Sequence, residues 1–213
     1  MIDRAEKAIR SAADFLPDSL NLRELSEAVQ HCRGCDLYKH ATQAVFGEGS
    51  AHARVMFVGE QPGDQEDQVG KPFVGPAGRL LDEVLEQVGI DRGEVYVTNA
   101  VKHFKWKPAG KRRLHAKPSA REMAACRPWL EADLESVHPQ VIVCLGATAA
   151  QSLLGPAFRI TKQRGQFLKY DGATLLATYH PSAILRAPDT HARAEMRKQF
   201  AADLRKVARQ LRK

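Results

Sequence analysis

Four short apolar runs, Val55–Gly59, 95–101, 141–146 and 174–179, punctuate the chain, and helix-patterned segments separate them. Each run is too brief and too evenly apolar for an amphipathic helix, so each reads as a strand buried on both faces. Between them, Pro76–Val88 puts Leu80, Leu81, Val84, Leu85 and Val88 on one helical face. Ser119, with Glu122 three residues on, forms a capping box that opens a helix toward Val137. Ala147–Leu154 reads as a short helix and 191–211 as a long terminal one, with two more helices expected at 2–15 and 22–29. Strands alternating with helices imply a mainly parallel sheet covered on both faces. The expected fold is therefore α/β: three α/β/α layers around a central, mainly parallel four-stranded sheet. No internal repeat or linker interrupts the 213 residues, which predicts one domain over 1–213.

In such sheets, ligands sit beyond the carboxyl ends of the strands. Four chemistry-bearing segments fall there: Glu60-Gln-Pro-Gly63, Asn99, the turn at Gly146, and His180-Pro-Ser182. Their convergence predicts a single site. One further segment breaks the α/β rhythm, a basic loop at 105–118 that contains Lys111-Arg-Arg-Leu-His115. Fixed cations disfavour a protonated imidazole, so His115 is expected to stay neutral and nucleophilic.

Lys and Arg outnumber Asp and Glu by 32 to 25, a net charge of +7 that suits a polyphosphate partner. Much of the surplus lies at 102–121 and 193–213. No apolar stretch is long enough to cross a bilayer, and the Met1-Ile-Asp-Arg4 start lacks a signal-peptide layout, so a cytoplasmic location with no membrane partner is expected.

Four cysteines without a secretion signal point away from disulfides. Cys32-x-x-Cys35 aims two thiols at one centre, as a metal or cluster site requires. A thioredoxin-like redox pair is the rival, but it belongs at a strand-to-helix junction, whereas this pair follows a helix. Cys126 and His103 are candidates for the remaining ligands. Cys144 lies mid-strand and reads as core.

Taken in order, Cys32-Arg-Gly-Cys35, Gly59-Glu-Gln-Pro-Gly63, Gly70-Lys-Pro-Phe-Val-Gly-Pro-Ala-Gly-Arg79, Thr98-Asn-Ala-Val101, Ala125-Cys-Arg-Pro-Trp129 and His180-Pro-Ser182 resemble the motifs of the family 4 uracil-DNA glycosylases, the iron–sulfur branch of that superfamily. Gly70-Lys71 is not a Walker A motif, which needs Gly-Lys-Ser/Thr at a helix start. Two departures, His103 in place of a third cysteine and the inserted Lys-Arg-Arg-x-His loop, together with Gln61 after the motif glutamate, are similar to the UdgX group, which becomes covalently joined to uracil-containing DNA. The resemblance implies a [4Fe-4S] cluster on Cys32, Cys35, His103 and Cys126.

It also implies the site roles. Uracil would stack on Phe73 and present its O4 and N3 edge to Asn99, whose fixed amide discriminates against cytosine. The backbone around Gln61 and Asp64 would help to hold the base. His180 would stabilise the departing anion at O2, and Glu60 the sugar cation or the incoming nucleophile. His115 would bond to C1′ in place of water. Gln61 would position the loop, while Lys111, Arg112, Arg113 and Ser182 contact DNA and the loop cations keep the imidazole neutral. The partner is uracil-containing DNA, preferably single-stranded because a base inside a duplex is out of reach, and the protein is expected to be a monomer. The alternatives are a conventional multiple-turnover family 4 enzyme and a non-catalytic iron–sulfur nucleic-acid-binding protein.

Overall fold

The computed structural model describes residues 11–212. Most of the helix expected at 2–15 lies outside these residues; within them, Ala12–Phe15 forms one 3-10 turn capped by Ser11. Helix α1 (Leu22–Ala28) leads to the Cys32 turn. Strands β1 (Glu48–Gly49) and β2 (Val55–Gly59) precede α2 (Asp64–Val69) and α3 (Pro76–Val88). Strand β3 (Val95–Asn99) is followed by a hairpin of β4 (Trp106–Ala109) and β5 (Arg112–His115), then α4 (Ala120–Val137). Next come β6 (Val141–Leu145), α5 (Ala147–Leu154), α6 (Ile160–Gln163), β7 (Phe167–Tyr170), β8 (Ala173–Thr178), α7 (Pro181–Leu185) and α8 (Thr190–Leu211).

The main sheet has the order β1-β3-β2-β6-β8-β7. Its four inner strands, β3, β2, β6 and β8, are the four expected from the sequence, and they run parallel. Two short antiparallel strands, β1 and β7, extend its edges. The segment expected to be a basic loop is largely a two-stranded ribbon, with β4 paired to β5. It turns at Gly110, whose φ of 60° is left-handed.

Alternation along the strands builds the layers. Val55, Phe57, Val95, Val97, Val141 and Val143 face α3 and α8, meeting Leu81, Val84, Leu85, Phe200, Leu204 and Val207. Met56, Val58, Tyr96, Ile142 and Cys144 face the other way, onto Leu130 of α4 and Ala149, Ala150 and Leu153 of α5. A third cluster packs Leu25, Val29, Cys32, Leu37 and Phe46 against Val101, Cys126 and Trp129. No helix among the described residues is long and apolar enough to cross a membrane.

The carboxyl end of β3 is fixed by a buried charge. The fully buried Nζ of Lys102 donates to Asp133 Oδ2 at 2.5 Å, Thr98 Oγ1 at 2.6 Å and the Asn99 carbonyl at 3.0 Å. Asp133 on α4 also accepts from the Tyr96 and Thr98 hydroxyls. The network therefore ties α4 to the strand end that carries Asn99. Replacing Asp133 by Ala would leave an ammonium without a counter-ion in a site closed to water. The expected loss is about 3–5 kcal/mol of unfolding free energy, measured by urea denaturation; a loss below about 1 kcal/mol would contradict the arrangement.

Candidate active site

A cavity of about 770 Å³ opens at the carboxyl ends of the parallel strands. Glu60 and Gln61 after β2, Asn99 at the end of β3, Gly146 after β6 and His180 after β8 all line it, together with Asp64, Phe73, Ser182 and His115. The structure thus brings the strand-end segments singled out in the sequence into one pocket. Arg186, which that reading left unremarked, stands at its edge.

The floor is made by close approach. A Cβ added at Gly59 would lie 2.3 Å from Asn99 Oδ1 and 2.9 Å from the Phe73 ring, so only glycine lets both side chains in. Phe73 has a left-handed backbone, φ 57°. Its carbonyl sits against Gly78 of α3, where an added Cβ would fall 1.6 Å away. The buried Glu66 carboxylate holds this loop by accepting from the amides of Gly63 (3.1 Å) and Gly75 (2.8 Å). The Phe73 and His180 rings end 6.2 Å apart and 25° from parallel.

The hydrogen bonds of His180 define its tautomer. Its Nδ1 accepts from the Ser182 backbone amide at 3.1 Å and lies 2.8 Å from the Ser182 hydroxyl. A backbone amide can only donate, so Nδ1 carries the lone pair and Nε2 the hydrogen. Burial, with Arg186 and His115 nearby, pushes the imidazole down to about pKa 4. His180 is therefore a neutral Nε2–H donor at neutral pH. Ser182 spends its amide on that orientation.

The β4–β5 hairpin is fastened to the pocket wall. Arg113 Nε bonds Asp64 Oδ1 at 2.6 Å and its Nη1 bonds Asp67 Oδ2 at 2.6 Å, while the guanidinium lies over the Phe104 and Trp106 rings. The Gln61 amide donates to the carbonyls of Lys105 and Ala116 and accepts from the Lys105 amide, so it grips both ends of the ribbon. Trp106 Nε1 donates to the His40 carbonyl, and Lys105 pairs with Glu122. Thus held, His115 places Nε2 3.5 Å from Glu60 Oε1.

Two expectations need correction here. His115 is indeed shifted toward its neutral form, but burial is the main cause, with Glu60 acting in the opposite direction, and the cation that assists is Arg186, from outside the loop. Nor is Arg113 available as a DNA contact, because Asp64 and Asp67 occupy its guanidinium. The Asp64 carboxylate pairs with Arg113 and also accepts from Gln68, and the Gln61 side chain is engaged with the hairpin. Lys111 and Arg112 are exposed. Asp67, fully buried and also bonded to Thr42, was not read from the sequence. Its signal was an Asp–Asp pair three residues apart in the first turn of α2.

Cys32, Cys35 and Cys126 gather in the third apolar cluster. The Trp129 indole donates to Cys32 Sγ at 3.2 Å, and the Lys102 amide to Cys126 Sγ at 3.3 Å. Burial raises the Cys35 thiol and pushes Cys126 up to about 12, with the other thiols adding to the effect. His103 is buried, and that burial drives its imidazole down to about 4 against the opposing pull of Asp67. Among the described residues, no three His, Cys, Asp or Glu side chains are grouped around a single point. Three neighbouring thiols with N–H groups aimed at sulfur are the donor chemistry that an iron–sulfur cluster uses. Cys144 is fully buried between the sheet and α4–α5, and burial raises its thiol.

Residues 46–205 match the family described as the Uracil DNA glycosylase superfamily. The chain is 43% identical over 164 residues to the Type-4 uracil-DNA glycosylase of Thermotoga maritima, covering 76% of this chain and 82% of that protein. It is 36% identical over 195 residues to the Type-4 uracil-DNA glycosylase of Archaeoglobus fulgidus, covering 88% and 92%. A Type-5 uracil-DNA glycosylase of Pyrobaculum aerophilum shares 31% over 153 residues, 64% of each chain.

If Arg113 is the clasp of the hairpin, Arg113→Ala should release the ribbon while the rest of the fold stays intact. Tryptic cleavage after Lys111 and Arg112 should then quicken by about tenfold or more under native conditions. An unchanged cleavage rate would show that the ribbon is held by other contacts.

Proposed function

Because the chain belongs to the uracil DNA glycosylase superfamily, we propose that its pocket removes uracil from DNA and that His115 then captures the sugar left behind. The observation that carries the second half is the clamped hairpin, which sets a half-exposed imidazole, shifted toward its neutral form, beside Glu60 at the pocket.

The target nucleotide enters from single-stranded DNA, the preferred substrate in this reading, or after leaving its stack. Uracil lies against Phe73 with its O4 and N3 edge toward Asn99, and the backbone at Gln61 and Asp64 supports it. As the C1′–N1 bond breaks, its electron pair leaves with the base. The neutral Nε2–H of His180 donates to the negative charge that develops at O2. Glu60 faces the positive charge that develops on the sugar. The imidazole lone pair of His115 then bonds to C1′, and the ring proton passes to Glu60 or to solvent, which leaves an uncharged, alkylated imidazole. Nothing in that product recreates a leaving group, so the enzyme acts once. Lys111 and Arg112 contribute phosphate contacts, and Ser182 acts chiefly by orienting His180.

Cys32, Cys35, His103 and Cys126 would hold the [4Fe-4S] cluster. When bound, it would supply metal–thiolate bonds to the 32–35 turn and α4 and a metal–nitrogen bond to the segment after β3, tying the three together. We read 1–213 as one such domain, acting as a monomer. A second reading, multiple turnover with water at C1′, has the Type-4 relatives behind it. It shares every pocket residue and differs only in the fate of the sugar.

One experiment separates the readings. The protein is incubated with a uracil-containing single strand over a range of pH, then resolved by denaturing electrophoresis with released uracil measured in parallel. The expected result is a shifted band that is lost in His115→Ala while free uracil persists. Protonation removes the lone pair, and burial lowers the His115 pKa, so the band should hold its yield as pH falls through 6.5, the ordinary histidine midpoint, and fail only below it. A band that survives in His115→Ala would overturn the covalent reading. Free uracil without any band would favour turnover, and a yield halved near pH 6.5 would contradict the held-neutral imidazole.

A further inference from the structure

The ribbon that carries His115 has two faces with opposite fates. Register sets Lys107 opposite Leu114 and Ala109 opposite Arg112, so these four side chains share one side. Trp106, Pro108, Arg113 and His115 share the other. On the inner side, Trp106, Arg113 and His115 meet His40, Asp64, Asp67 and Glu60. The outer side meets nothing comparable: Lys107 and Arg112, and Lys111 at the turn, form no ion pair among the described residues, and all three are exposed.

Among those cations sits Leu114, with 51% of its surface open to solvent. A solvated ribbon gains nothing from leucine here, because burying such a side chain would be worth about 1.5–3 kcal/mol and this one is left half in water. It adjoins His115, so the two Cα atoms stand about 3.8 Å apart. One points into the pocket and the other away from it. An apolar spot ringed by cations complements a nucleobase attached to its phosphates, since any base offers an apolar face and the cations meet the backbone. The anchors on the inner side hold this outer side rigid, so little ordering is needed when it binds.

We propose that the outer face of the β4–β5 ribbon is a subsite for the nucleotide next to the target on the same strand, with Leu114 packed on its base and Lys107 and Arg112 on the adjoining phosphates. This rests on reading the pocket as a site for uracil in DNA. Leu114 is then a positioning residue. It holds the neighbouring nucleotide in place on the outer face while the target occupies the pocket.

The test couples a protein change to a DNA change. Full-length wild type, Leu114→Ser and Leu114→Met are compared on single strands with one uracil, either complete or lacking the base immediately 5′ or 3′ of it (a tetrahydrofuran spacer). Initial rates of total product, free uracil plus shifted band, are measured below saturation. For wild type, removing the base on one side should cost about tenfold, the scale of one lost base contact. Leu114→Ser should lose a similar factor on the complete strand and nothing more on that spacer strand, while Leu114→Met keeps most of the rate. Equal rates for wild type and Leu114→Ser on the complete strand would overturn the subsite alone. So would losses that simply multiply when both changes are combined. No product from wild type on any strand would overturn the reading of the pocket, and the subsite with it.

Discussion

One guanidinium, gripped by two carboxylates of a six-residue helix, decides where His115 stands. A two-stranded ribbon has little stability of its own in water, and this one carries proline, glycine and several like charges. Arg113 makes it part of the body by bonding Asp64 and Asp67 of α2. Gln61, from the strand end just before α2, closes the base of the ribbon. Glu66 of the same helix ties down the loop that presents Phe73. Phe73 and His115 are therefore registered to a single short element. A shift of α2 would misplace both.

The proposed chemistry needs two imidazoles neutral at once, and desolvation is the main cause that shifts both toward that form. His180 is locked as an Nε2–H donor because a backbone amide claims its other nitrogen. His115 is left with freedom that His180 lacks, its nearest polar neighbour being Glu60 at 3.5 Å. Arg186 disfavours the protonated form of both rings. The two rings are thus given different degrees of restraint. On the far side of β3, the Lys102–Asp133 pair steadies the strand end that carries Asn99.

The inner strands were legible in the sequence because burial on both faces leaves an unbroken apolar run, as in Val55–Gly59 and Val95–Asn99. The edge strands were not. β1 is two residues long and exposed, and β7 alternates between exposed and half-buried positions with no strong apolar signal. Helix α2 is illegible for a related reason: five polar residues and one valine show no face, and the two buried acids among them look like solvent-facing ones until their partners are known. The strand-end segments could be placed together because a parallel sheet puts all of its carboxyl ends on one side. Arg113 could not be separated from Lys111 and Arg112 by composition. Its partners lie 46 and 49 residues away in the chain, and only strand alternation turns it inward. The cause of the His115 shift was misread for the same reason, since a run of cations in sequence need not surround the residue beside it in space.

The account stands or falls on which atom of the protein ends up on the sugar. Protein reacted with a uracil-containing single strand is digested with nuclease and protease, and the peptides are sequenced by tandem mass spectrometry. A deoxyribose remnant should be found on the imidazole of His115 and on no other side chain. A remnant on a different residue, or an unmodified His115 peptide at full yield beside abasic DNA, would contradict the assignment of His115 as the group that takes the place of water.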